Sequence, residues 1–108
     1  MGHVVMLGDF VADTAYRANR MPRLGETVLG NSFALGPGGK GSNQAVAAGR
    51  TGVQVSMISR LGKDDFGQMA LDTWAASGVT PYVEQSSDDY TGAAYIFIEE
   101  SSGDNAII

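Results

Sequence analysis

The residues best suited to chemistry lie at positions 35–50, which read Leu-Gly-Pro-Gly-Gly-Lys-Gly-Ser-Asn-Gln-Ala-Val-Ala-Ala-Gly-Arg. Four glycines within 36–41 let the backbone approach a ligand closely, since glycine has no Cβ and tolerates a positive φ. The alanine-rich run predicts a helix over 42–50, whose first N–H groups would be free to bind anions or polar oxygens. Lys40 adds a cation and Asn43 an amide, so the loop is predicted to bind a ligand.

Two standard phosphate-binding loops do not fit this segment. A dinucleotide fingerprint, G-x-G-x-x-G, would need a third glycine where Gln44 stands. A Walker A loop would need glycine in place of Ala34 and serine or threonine in place of Gly41. A nucleotide-binding domain is therefore the least favoured functional hypothesis.

Composition argues against several other kinds of site and partner. The net charge is −5 and the seven Lys and Arg residues form no basic stripe, so neither nucleic acid nor a membrane surface is an expected partner. Cysteine is absent, and the single histidine, His3, allows no Ser/His/Asp triad. Asp64–Asp65 and Asp88–Asp89 are interpreted as a helix cap and a solvated loop rather than as metal ligands. With no signal peptide or membrane-spanning run in the sequence, a cytoplasmic location is expected.

The elements that must position the loop alternate between strands and helices. Strands are predicted at 4–7, 53–58 and, more weakly, 82–84. A second helix runs from Asp64 or Asp65 to Gly78, and its apolar stripe (Phe66, Met69, Ala70 and Trp74) is interpreted as core packing. Such alternation predicts parallel βαβ units. Two hairpins, one with arms 26–29 and 32–35 and one within 93–108, lie outside that pattern and predict a small separate β-layer.

Five blocks, taken in order, resemble the ribokinase-like sugar kinases of the PfkB family. They are Gly-Asp-Phe-Val-Ala-Asp at 8–13, Gly-Glu-Thr-Val-Leu-Gly at 25–30, the glycine loop at 36–48, Arg-Leu-Gly-Lys-Asp-Asp-Phe-Gly at 60–67 and Thr-Gly-Ala-Ala at 91–94. The run Gly-Gly-Lys-Gly-x-Asn-Gln-Ala is the most specific of the motifs on which this resemblance rests. The resemblance spans essentially the whole chain, corresponds to the N-terminal part of such an enzyme and is strongest to ribokinases.

The resemblance implies an α/β fold, a three-layer α/β/α ribokinase-like sandwich with a small β-sheet lid. Residues 1–108 would be the N-terminal part of a single domain, with lid strands at approximately 13–35 and 91–108 and the C-terminal nucleotide-binding part absent. Because the family's lid often forms a dimer contact, a homodimer through the lid strands is also expected.

The resemblance also assigns substrate-binding roles within the chain. Asp13 would accept a sugar hydroxyl, and a carboxylate can take two such bonds at once. The remaining contacts would come from Val11, Gly38, Gly39, Lys40, Gly41, Ser42 and Asn43. Ribokinases usually have an asparagine where Val11 stands, so one polar sugar contact is missing. Ribose, a deoxy sugar, a different pentose or hexose, and a nucleoside all stay open as substrates.

Family members phosphorylate a sugar hydroxyl with ATP and Mg²⁺. The family's Gly-Ala-Gly-Asp segment, which carries the catalytic aspartate, does not occur in these residues, and neither do its nucleotide-binding segments. No catalytic, cofactor-binding or metal-binding residue is therefore expected here, and the 108-residue chain alone is expected to be inactive and to bind no cofactor strongly. The alternative is a non-catalytic module from a truncated kinase gene that binds a polyol or assembles through exposed sheet edges.

Overall fold

A computed structural model describes residues 2–108, which form seven strands and two helices. In chain order these are β1 (His3–Leu7), β2 (Val11–Ala18), β3 (Ser32–Gly38), α1 (Lys40–Gly49), β4 (Gln54–Gly62), α2 (Asp65–Ala76), β5 (Val79–Ser86), β6 (Gly92–Glu99) and β7 (Asn105–Ile107). The predicted α/β class is confirmed.

The elements divide into two compact units. The first contains the residues up to Ala12 together with Pro37–Gly92, and the second contains Asp13–Gly36 and Ala93–Ile108. The chain therefore passes from one unit to the other within β2, β3 and β6.

A three-stranded parallel sheet in the order β1-β4-β5 forms the centre of the first unit. Val4 pairs with Val55 on β4, and Val55 pairs with Val79 on β5. Each parallel pair is joined by a connection that contains a helix, α1 between β3 and β4 and α2 between β4 and β5, as parallel strands require. The predicted parallel arrangement of the strands is confirmed.

The core of the first unit lies between this sheet and the two helices. Met57 and Val55 on β4 pack with Ala45 of α1 and with Ala70 and Trp74 of α2, all of them fully buried. The predicted stripe of α2 thus faces the core, and Phe66 and Met69 lie partly buried beside it.

The opposite face of the same sheet is open in these residues. Val5 and Leu7 alternate with the core-facing Val4 and Met6 along β1, and their side chains are 58% and 78% exposed. Residues 2–108 therefore supply the sheet and one helix layer of the sandwich that the family resemblance implies.

The second unit is built on a four-stranded sheet in the order β3-β2-β6-β7. Its last pair is antiparallel, with Ile96 opposite Ile107. Aromatic side chains hold its middle: Tyr16 stacks on Tyr95 at 5.0 Å between ring centroids, and Phe33 lies 5.2 Å from Tyr16.

The prediction of a hairpin with arms 26–29 and 32–35 is wrong in its first arm. Residues 26–29 form no strand, and β3 instead lies beside β2, a strand that no local residue pattern predicted. The reason is local: the Glu26 carboxylate accepts two hydrogen bonds from the Arg20 guanidinium, at 2.6 and 2.8 Å, and one from the Arg23 N–H at 2.9 Å. These bonds close the connection into a turn, and they hold the pKa of Glu26 at about 2.

Element ends differ from the predictions by a few residues. The first helix begins at Lys40 rather than Ser42, because Gly39 is its N-cap residue and the Asn43 N–H already bonds to the Gly39 carbonyl at 2.9 Å. The strand predicted at 82–84 extends over Val79–Ser86, where it has a pairing partner in β4.

Candidate functional site

The glycine loop lies against the link between β1 and β2, backbone to backbone. A Cβ on Gly39 would lie 2.8 Å from the Asp9 carbonyl oxygen and 2.9 Å from Cα of Phe10. A Cβ on Gly41 would lie 2.8 Å from Cα of Gly8. Because a real Cβ essentially never comes within 3.0 Å of such atoms, glycine is required at both positions. Gly39 also has a φ of +94°, which other residues rarely adopt.

The first turn of α1 is joined to the same link by hydrogen bonds. Gly39 offers no side chain to cap the helix. Instead, the Ser42 N–H donates to the Asp9 carbonyl oxygen at 3.0 Å, and the Asp9 carboxylate lies 3.5 Å from the Gly41 nitrogen. Asp9 therefore takes over part of the capping of α1 from outside the helix, and this supports the helix end where Lys40 and Asn43 are exposed.

Most of the predicted substrate-binding residues come together in the first unit. Val11 follows directly on the β1–β2 link, and its nitrogen would lie 3.0 Å from a Cβ on Gly39. The others are consecutive in the loop, with Gly38 and Ser42 buried and Lys40 and Asn43 exposed. Asp13, two residues after Val11 on β2, is the first residue of the second unit. Its role as a hydroxyl acceptor stays a prediction.

Beneath the loop, a buried hydrogen bond joins the two helices. The indole N–H of Trp74 on α2 donates to Oγ of Ser42 on α1 at 2.9 Å. The same ring meets Phe10 edge to face, with centroids 6.1 Å apart and planes at 86°. The helical stripe predicted only a packing role for Trp74. No local signal could have revealed these contacts, because both partners are more than thirty residues away along the chain.

A surface cavity of about 280 Å³ lies beside the first helix. It is lined by Pro37, Ser42, Asn43, Val46, Ala47, Arg50 and Thr73. The side chains of Asn43 and Arg50 bring an amide and a guanidinium to one concave surface, so polar ligand groups could find donors there. The Thr73 hydroxyl donates to the Met69 carbonyl oxygen at 2.8 Å and can only accept a further bond.

Asp64 is committed to structure rather than to a ligand. Its carboxylate caps α2 by accepting the Gly67 N–H at 2.8 Å, and it also accepts the Thr91 N–H at 2.9 Å and the Thr91 hydroxyl at 2.7 Å. The Thr91 backbone bond, then the Thr91 hydroxyl and the Gly67 N–H, lower the pKa of Asp64 below its usual value. The predicted helix cap is confirmed.

Asp89, in the second predicted carboxylate pair, forms an exposed ion pair with Arg60 at 2.9 Å. Among residues 2–108, no three or more His, Cys, Asp or Glu side chains gather in a way that could hold a metal ion. In the same residues, no helix is long and apolar enough to cross a membrane.

Comparison with known proteins gives consistent matches. A model of the pfkB family of carbohydrate kinases matches residues 1–108. Ribokinase from Bacillus subtilis is 42% identical over 109 residues, covering all of this chain and 36% of the relative. Deoxyribokinase from Salmonella typhi is 34% identical, covering 97% of this chain and 35% of the relative. The structure of Arabidopsis thaliana ribokinase complexed with ribose and ATP superimposes with a TM-score of 0.89 at 31% identity, covering 98% of this chain and 34% of that one. The chain thus spans about a third of the length of these relatives.

Proposed function

Since the chain belongs to the pfkB family of carbohydrate kinases, we propose that it supplies the sugar-binding part of an ATP-dependent sugar kinase. The reaction would transfer the terminal phosphoryl group of ATP to a sugar hydroxyl. The relatives that support this proposal include a ribokinase and a deoxyribokinase.

One observation carries the proposal, the packing of the Gly39–Gly41 backbone on the β1–β2 link without room for a Cβ. This packing brings the first turn of α1 to the carboxyl end of β1, the edge at which open α/β sheets bind ligands. A neutral polyol needs several aligned hydrogen-bond donors and acceptors. Backbone groups of the loop, the Asn43 amide and the Lys40 ammonium are of that kind.

The proposed substrate is a pentose. The Val11 side chain offers no hydrogen bond where ribokinases usually have an asparagine, so one hydroxyl of ribose would lack a side-chain partner. An unmatched buried polar group costs about 1–3 kcal/mol. We therefore propose that the site accepts 2-deoxyribose at least as well as ribose.

ATP and Mg²⁺ enter the proposal only as the co-substrate and metal of the complete family enzyme. The Arabidopsis relative was solved with ATP and a Cryptococcus neoformans ribokinase with ADP. Residues 2–108 do not fit a metal site, because no three of their His, Cys, Asp or Glu side chains gather around one point. Of the predicted carboxylate pairs, Asp64 accepts three hydrogen bonds and Asp89 pairs with Arg60. We therefore assign no nucleotide-binding or metal-dependent step to these residues, and we propose that neither ligand binds strongly here.

A homodimer through the second unit is also proposed. Phe33, Tyr16 and Leu35 are 58%, 38% and 47% exposed there, which leaves apolar surface that a second copy could cover. Sedimentation of the chain and of Phe33→Asp tests this, because the dimer should weaken in the variant; a monomer at every concentration would contradict it.

The test of function is a calorimetric titration of the 108-residue chain with ribose, 2-deoxyribose, fructose and ATP. Saturable binding of a pentose, without comparable binding of ATP, is expected. The Gly39→Ala variant should lose sugar binding, since its methyl group would strike the β1–β2 link. The matched Gly36→Ala variant should retain it, since a Cβ on Gly36 meets nothing within 4 Å. Tight ATP binding without sugar binding would overturn the proposal.

A further inference from the structure

The Trp74 side chain contacts both segments of the proposed sugar site, the glycine loop and the β1–β2 link. Its N–H bonds to Ser42, which lies between Gly41 and Asn43 in the loop. Its ring packs against Phe10, which lies between Asp9 and Val11 in the β1–β2 link. Trp74 is also the only tryptophan of the chain.

The bond to Ser42 is directional and fully enclosed. The Trp74 side chain is 0% exposed and Ser42 is 1% exposed, so neither group can exchange its partner for bulk water. Leaving a buried indole N–H without an acceptor costs the full desolvation free energy of that group. The bond therefore holds the Ser42 hydroxyl, and with it the first turn of α1, in place relative to α2.

The contact with Phe10 acts on the other segment. Edge-to-face aromatic pairs prefer a narrow range of geometry, and the 6.1 Å separation and 86° interplanar angle lie within it. The backbone of Phe10 is one of the surfaces against which Gly39 packs, since a Cβ on Gly39 would lie 2.9 Å from Cα of Phe10. A shift of the Phe10 ring would therefore change the space in which the loop lies.

We propose that Trp74 is a positioning residue for sugar binding, and that it acts through Ser42 on the loop and through Phe10 on the β1–β2 link. This inference rests on the proposed function. A side chain that only filled volume would need neither the hydrogen bond nor the perpendicular ring contact. Sugar affinity should therefore depend on the indole N–H, and sugar binding should in turn alter the surroundings of the indole.

The first experiment uses the single tryptophan as its own probe. Indole emission responds to the polarity and hydrogen bonding around the ring, so titration of the chain with the pentose that binds in calorimetry should change Trp74 fluorescence with the same midpoint. Sugar binding that leaves the emission unchanged in both wavelength and intensity would contradict the inference.

The second experiment compares variants by calorimetry, after circular dichroism has shown which of them are folded. Trp74→Phe keeps an aromatic ring but removes the N–H, and Ser42→Ala removes the acceptor. Each should weaken pentose binding about fivefold, the change equivalent to one net hydrogen bond of about 1 kcal/mol. Because both substitutions remove the same hydrogen bond, the double variant should bind the pentose no more weakly than the single variant with the lower affinity.

Val79→Ala is the matched control for lost stability. Val79 is buried on β5 beside Gly49, at the other end of α1, so its truncation should lower the unfolding midpoint while sugar affinity is retained. If all three single variants lose affinity alike, or if folded Trp74→Phe and Ser42→Ala bind as the unaltered chain does, the positioning role is overturned. If the unaltered chain binds no sugar at all, the proposed function itself fails, and the inference fails with it.

Discussion

At the scale of single residues, the glycines of the loop are not interchangeable. Gly39 and Gly41 have no space for a Cβ, whereas Gly36 lies in open space. The same loop thus contains glycines required by packing and one that packing does not require.

Gly41→Ala tests this distinction through stability. Its methyl group would meet the Gly8 backbone at 2.8 Å, and backbone atoms cannot move aside as a flexible side chain can. We expect a loss of about 1–3 kcal/mol in the free energy of unfolding, the usual cost of overpacking. Urea unfolding measures it, with Gly36→Ala as the control that should unfold close to the unaltered chain; equal midpoints for both variants would contradict the packing argument.

Val11 is the residue at which substrate preference should be adjustable. Val11→Asn restores an amide at the position where ribokinases usually have one, so the ratio of ribose affinity to 2-deoxyribose affinity should rise. A gain of about fivefold or more is expected from one additional hydrogen bond. Paired calorimetric titrations measure the ratio. Val11→Leu, which adds no polar group, should leave it unchanged, and a similar rise in both variants would contradict a hydrogen-bonding role.

At the scale of elements, one carboxylate ties the start of α2 to the segment that leads into β6. Asp64 caps α2 through Gly67 and holds Thr91, which immediately precedes β6. The Gly62 N–H adds a bond to the Thr91 hydroxyl at 2.9 Å. There is no room for a Cβ on Gly62 or Gly67 beside these groups. The start of α2 and the segment before β6 are thus held together by the carboxylate of Asp64.

This dependence predicts a pH effect. The pKa of Asp64 is lower in the folded chain than in the unfolded chain, so its contribution to stability is present above the unfolded pKa, about 3.9, and is lost as the pH falls through the folded pKa. Thermal unfolding between pH 7 and pH 2.5 should therefore show a smaller acid-induced decrease in Tm for Asp64→Asn than for the unaltered chain. Asp65→Asn leaves the capping carboxylate in place, so its Tm should fall with acid as much as that of the unaltered chain. If the acid-induced decrease in Tm is equally small in Asp65→Asn and Asp64→Asn, Asp64 is not the group responsible.

At the scale of the whole molecule, the chain spans about a third of its relatives. We expect no sugar-dependent release of ADP when the 108-residue chain is incubated with ATP, Mg²⁺ and a pentose, because the Gly-Ala-Gly-Asp segment does not occur in it. A coupled ADP assay measures this, with a full-length ribokinase as the positive control. Sugar-dependent turnover would show that the chain carries phosphoryl-transfer groups of its own.

Local patterns were sufficient for much of the fold. The apolar run of β1, the stripe of α2 and the alternation of strands and helices predicted the parallel sheet and its helix layer. These predictions succeeded because periodicity records which face of an element is buried. The strand β2 was missed, since Val-Ala-Asp-Thr-Ala-Tyr-Arg-Ala has no clear alternation. The partner of β3 was predicted instead at 26–29, where bonds from Arg20 and Arg23 to Glu26 form a turn.

The sequence by itself determined the glycine loop, its helix and the family, because residue types in a fixed order carry that information locally. Only the tertiary structure decided what the loop packs against and what holds it in place. Asp9 as an outside cap of α1, Trp74 beneath Ser42 and Phe10, and Thr91 on Asp64 all join residues that are more than twenty-five positions apart. Such contacts arise from strand pairing and core packing, which bring distant backbone and buried polar groups within bonding distance and leave no periodic pattern in the sequence.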